Sequence, residues 1–107
     1  MQIAPLLHVG RGVTAIIGGG GKTTLMETLA GELSKKGKVI ITTTTHICRP
    51  KQYETLLDAD EAAVSAALER SGIVCVASQA ESGKLCAPCL SMGTLAQLAD
   101  FVLVEAD

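Results

Sequence analysis

The sequence predicts an α/β domain, a parallel sheet with helices on its faces. Three observations lead there. Short runs rich in β-branched residues alternate with stretches of helical periodicity. Aromatic residues make up only 2% of the chain, so its core must be Val, Ile, Leu and Ala, the composition of parallel strands buried on both faces. The first apolar run leads through Gly18-Gly19-Gly20-Gly21 straight into an amphipathic segment.

The first strand is expected over residues 13–17. A helix follows over 22–36, because Leu25, Met26, Leu29, Ala30 and Leu33 recur on one face. Lys35 and Lys36 suit the end of its dipole, and Gly37 is the expected stop. The second strand is 38–43, with Val39, Ile40 and Ile41 buried on both faces. Pro50 and the charged residues around it read as a loop. Asp60 is a plausible N-cap for a helix over 61–70, which Gly72 ends. The third strand is 73–77, followed by a loop over 78–89 and a short helix over 93–99. The fourth strand is 101–104. A sheet that stops there leaves an open edge and predicts self-association or a missing companion segment.

Strand, glycine loop, Lys-Thr, helix is an arrangement that holds the phosphates of a nucleotide. Glycine lets the backbone approach phosphate and turn its N–H groups inward. The helix start adds unpaired N–H groups and the positive end of its dipole. Lys22 is placed to reach the β- and γ-phosphates, Thr23 to ligate Mg²⁺ and Thr24 to sit on the α-phosphate side. The pattern G-x-x-x-x-G-K-[ST] fits imperfectly, since Ile16 stands at its first glycine. The variant x-G-G-x-G-K-T-T matches at Gly18, Gly19, Gly21, Lys22, Thr23 and Thr24. That variant resembles the loop of dimerising ATPases and GTPases. Ile17 stands where many of them carry a second lysine, so nothing supports a lysine reaching across a dimer. The fold expectation is therefore a P-loop NTPase-like sheet, incomplete at its C-terminus: one truncated nucleotide-binding domain over residues 1–107.

Composition narrows the function. With 107 residues there is room for one core. Hydrophobic residues are 48% and charged residues 19%, a globular balance. The net charge of −2, with no lysine or arginine run, gives no footprint for nucleic acid. No apolar run is long enough to cross a bilayer. A cytoplasmic protein with its cysteines reduced is expected.

Phe101-Val102-Leu103-Val104-Glu105-Ala106-Asp107 is an apolar run ending in acid. A carboxylate there, Glu105 or Asp107, can hold Mg²⁺ and orient an attacking water; the plain alternative is a solvated strand end. The run Thr42-Thr43-Thr44-Thr45-His46 can lend a hydroxyl to Mg²⁺, or it can reflect β-propensity alone. His46 by itself reads as structural. Cys86-Ala87-Pro88-Cys89 is a lone C-x-x-C that suits a soft metal, a sulfur or selenium species, or redox chemistry, and is otherwise a pair of thiols in a loop.

Taken together, the glycine block, Val39-Ile40-Ile41-Thr42-Thr43-Thr44-Thr45-His46-Ile47 and Asp100-Phe101-Val102-Leu103-Val104-Glu105-Ala106-Asp107 resemble, in this order, the selenium-dependent hydroxylase accessory proteins of the YqeC type. The resemblance implies a nucleotide-binding protein that assists maturation of selenium-dependent molybdenum hydroxylases. It carries over Gly18 to Thr24 as the phosphate loop, Thr42 to Thr45 as the threonine block, and Glu105 and Asp107 as the acidic block. The family usually has alanine where Gly19 or Gly20 stands, and it continues past Glu-Ala-Asp. The Cys86/Cys89 pair is not a family expectation.

The expected function is binding of Mg²⁺ with ATP or GTP, with hydrolysis if the site is complete, on behalf of a metalloenzyme client. Lys22, Glu105 and Asp107 are the expected catalytic residues. Thr23 and Asp107 are the expected metal ligands. Two other readings stay open: a small-molecule kinase, which usually needs an arginine-bearing lid although none of Arg11, Arg49 and Arg70 stands in an obvious one, and a non-enzymatic metal- or selenium-handling module using Cys86 and Cys89. The choice between ATP and GTP, and a homodimer, stay open too.

Overall fold

A computed structural model describes residues 12–16, 22–44, 53–81 and 83–105, the side chains of residues 15, 16 and 22–25 excepted. In chain order the elements are β1 (Gly12–Ile16), α1 (Lys22–Leu33), β2 (Val39–Thr43), β3 (Glu54–Leu57), α2 (Glu61–Ser71), β4 (Ile73–Gln79), β5 (Leu85–Cys86), α3 (Met92–Leu98) and β6 (Phe101–Glu105). The strands form one six-stranded sheet in the order β1-β6-β2-β4-β3, with β5 added to β4. All pairs are parallel except β4 with β5. The α/β reading with a mostly parallel sheet and flanking helices therefore holds.

Side-chain alternation divides the core. On one face, Met26, Leu29, Ala30 and Leu33 of α1 pack on Val39, Ile41, Phe101 and Leu103. On the other, Val64, Ala67 and Leu68 of α2 and Leu95 of α3 pack on Ile40, Val74, Val76, Val102 and Val104. Leu85 of β5 covers Cys75 and Ala77 on the α1 side, next to Leu57. β2 is buried along its whole length, as a strand flanked and covered on both faces should be.

Local signals account for α2. Asp60 Oδ1 accepts from Ala63 N at 2.8 Å, and Gly72, at φ +81°, donates its N–H to Leu68 O. A left-handed residue at that place favours glycine.

Four expectations need correction. The stretch read as a loop around Pro50 contains β3, an edge strand with one exposed and three half-buried residues. Its short, partly polar pattern carries too little burial to announce a strand. The loop over 78–89 contains β5, which exists only because β4 offers it a partner. α1 ends at Leu33, so Lys35 and Lys36 lie in the turn beyond it and not in its last turn. The last predicted strand, β6, is no edge: it slots between β1 and β2. The edges are β1 and β3.

Candidate functional site

The C-terminal ends of the parallel strands form one rim, the usual place for ligands in such sheets. Ile16 at the end of β1 lies opposite Glu105, and Glu105 lies opposite Thr43. Neighbouring strands are ~4.8 Å apart. The entry to the glycine loop, the acid and the threonine run thus occupy three adjacent lanes at one height. Lys22 is the first residue of α1, and no acidic residue stands in its first turn to offset the positive end of the dipole.

The junction of β2 and β6 is tied beyond the ladder. Thr43 Oγ1 donates to Glu105 O at 2.9 Å, and Thr44 N donates to the same oxygen at 3.2 Å. These bonds fix the strand end that carries the half-buried Glu105 toward residues 106–107. Thr42 behaves differently. It is fully buried on the α2/α3 side, and its Oγ1 has no hydrogen-bond partner. A buried hydroxyl left unmatched costs about 1–3 kcal/mol. Strand alternation therefore splits the threonine run into a tie (Thr43) and an unmatched donor (Thr42), although the run was read as a block.

Among the expected site residues, Glu105 stands at the rim, and Lys22, Thr23 and Thr24 form the first turn of α1. Gly18, Gly19, Gly20, Gly21 and Asp107 lie outside the described residues, as do Thr45, His46 and Cys48. Arg70 forks onto both carboxylate oxygens of Glu54 at 2.8 Å, so it braces the β3 edge. Arg11 and Arg49 lie outside the described residues.

Sequence reasoning passed over one polar pair on this rim. Ser78 Oγ donates to Asp58 Oδ1 at 2.6 Å, and Asp58 adopts φ +53°, a left-handed conformation that aspartate tolerates. An aspartate just past a strand was the available signal, but the strand itself had been missed. Cys75, Cys86 and Cys89 are thiols and not disulfides. Cys75 is buried, Cys86 half-buried and Cys89 exposed. Among the described residues no three His, Cys, Asp or Glu side chains gather as a metal site. No described helix is long and apolar enough to cross a membrane.

No curated protein and no solved structure matches the chain. The model of one family, described as YqeC protein, matches residues 14–107, a span that takes in the glycine loop, the threonine run and the acidic end of β6. On that match, the chain belongs to the YqeC family.

Proposed function

We propose that this protein binds Mg²⁺ with ATP or GTP at the C-terminal rim and hydrolyses the nucleotide in support of selenium-dependent molybdenum hydroxylase maturation. YqeC membership is consistent with that accessory role. The observation that carries the nucleotide reading is the shared register of Ile16, Glu105 and Thr43. It brings the flank of a phosphate-type glycine loop beside a carboxylate on the neighbouring strand.

The chemistry follows from the residue types. Backbone N–H groups of residues 18–22 and the start of α1 offer donors to phosphate oxygens. Lys22 adds a positive charge for the β- and γ-phosphates. The side chains proposed to hold the metal, Thr23 and Asp107, offer oxygen donors, as does Glu105, and oxygen suits Mg²⁺. The metal, when bound, neutralises charge on the phosphates. In this reading Glu105 or Asp107 orients the attacking water.

The test is thermal unfolding with ATP or GTP, each with Mg²⁺, on this chain and on Lys22→Ala. Ligand at 100 times its Kd adds about 2.7 kcal/mol. At roughly 4–8 °C per kcal/mol for a domain of this size, that shift is large. We expect it with one nucleotane base and not in Lys22→Ala. Equal affinity in Lys22→Ala would sink the reading.

A further inference from the structure

The hydrogen bonds of β4 reveal where β5 sits. Backbone groups alternate sides along a strand. Gly72 O accepts from Val39 N, so even-numbered residues here turn toward β2. Ala77 O accepts from Asp58 N, so odd-numbered residues turn toward β3. Ala80 N donates to Lys84 O in the antiparallel pair with β5. β5 therefore lies on the β2 side of β4, in the lane that β2 leaves after Thr43.

Register completes the placement. Ile41 pairs with Cys75, so a continued β2 would set Thr44 beside Ser78. Cys86 pairs with Ser78 and takes that place, while Thr44 turns to Glu105 O. Leu85 packs on the α1 side with Cys75 and Ala77. By alternation, Cys86 belongs to the opposite face, the face of Thr42. Two residue steps along a lane are ~7 Å. Cys86 thus stands one lane from the Glu105 strand end, above the unmatched Thr42 hydroxyl, with Cys89 exposed three residues on.

From this placement we propose that Cys86 and Cys89 form a binding site for a thiophilic d¹⁰ cation of the Zn²⁺ or Cu⁺ class, at the mouth of the rim site. Thiolates are the ligands such cations prefer. Each thiol gives up its proton on binding, so two protons leave per cation held. No third His, Cys, Asp or Glu joins them among the described residues. Two thiolates by themselves leave coordination positions to other ligands, whereas a closed structural site has four. This site stands whether or not the rim binds nucleotide.

The test is titration of the reduced 107-residue chain with Cd²⁺ against a competing chelator, read by sulfur-to-cadmium charge-transfer absorbance, with no nucleotide present. The expected result is one Cd²⁺ per chain, with two protons released. Cys86→Ser and Cys89→Ser should each weaken binding at least tenfold, while Cys48→Ser leaves it unchanged. Because Cys89 is exposed, Cys89→Ser tests the site even if Cys86→Ser fails to fold. Absence of a stoichiometric band, or full binding in the Cys86→Ser/Cys89→Ser double variant, would overturn the proposal. Neither outcome bears on the Lys22 experiment, so the two readings fail separately.

Discussion

The two rims of the sheet are built on opposite principles. At the N-terminal rim side-chain and backbone hydrogen bonds tie β1, β2, β4 and β6 together. Asp100 Oδ2 accepts from Lys38 N at 2.8 Å, Lys38 O accepts from both Asp100 N and Phe101 N, and Asp100 O accepts from Gly12 N. Gly72 O takes Val39 N, and the Lys38 ammonium reaches Glu69. At the C-terminal rim the described residues make a different pattern. Thr43 and Thr44 converge on one carbonyl, Thr42 has no partner, and α1 begins with no acid in its first turn. One rim is closed to hold strands together. The other buries one hydroxyl, Thr42 Oγ1, without a hydrogen-bond partner, which a purely structural edge avoids.

Breaking the closed rim should have the largest effect. A Cβ at Gly37 would lie 2.3 Å from Asp100 Oδ2 and 2.8 Å from Asp100 Cβ. Glycine is needed there for that close approach, and φ plays no part. Gly37→Ala should displace Asp100 and orphan Lys38 N–H, costing about 2–3 kcal/mol. The melting temperature should fall by roughly 8–24 °C, at about 4–8 °C per kcal/mol. Asp100→Asn retains an acceptor and should cost less than half as much. If Gly37→Ala instead weakened nucleotide binding with no loss of stability, the division between the rims would be wrong.

Thr43→Val comes next. It removes the donor to Glu105 O in a nearly isosteric way and should cost about 1 kcal/mol. Thr43→Ser should restore most of it. Denaturant midpoints on the three proteins would show the order.

How much of this is legible in the sequence depends on range. α2 is readable because Asp60 and Gly72 act within four residues of the backbone groups they satisfy. The glycine loop is readable because its chemistry is local. The role of Asp100 is not, since its partner Lys38 is 62 residues away. Strand order is hidden for the same reason: nothing near Phe101 announces that β6 enters between β1 and β2. β3 and β5 are too short to carry a period, and they become strands only through β4. The link between Cys86 and Thr42 is two steps removed, because it needs the lane as well as the strand.

The dryness of the closed rim can be tested by titration. Tyr53 precedes β3, at the N-terminal side, and its hydroxyl is pushed up to about 12 by burial, then by the Glu27 carboxylate and Cys75. A pKa raised in the folded state means that the proton is held more tightly there than in the unfolded chain. The stabilisation is complete below pH ~10 and is lost as pH rises through about 12. Tyr53 is the chain's only tyrosine, so tyrosinate absorbance reports it without ambiguity. Tyr53→Phe should flatten the fall in stability across that window. Ionisation of native Tyr53 near 10 would show that the rim is wetter than its hydrogen bonding implies.

The sharpest contrast uses the smallest effect. Thr42 and Thr43 are neighbours, both fully buried, and the same substitution should act on them with opposite sign. In Thr43→Val a made bond is lost. In Thr42→Val an unmatched hydroxyl is lost, so stability without ligand should be unchanged or rise by up to about 1 kcal/mol. Cd²⁺ binding at Cys86 and Cys89, two residue steps (~7 Å) along the lane, should be the same in Thr42→Val as in the unaltered chain. If Thr42→Val lowers stability as Thr43→Val does, Thr42 is an ordinary packed residue.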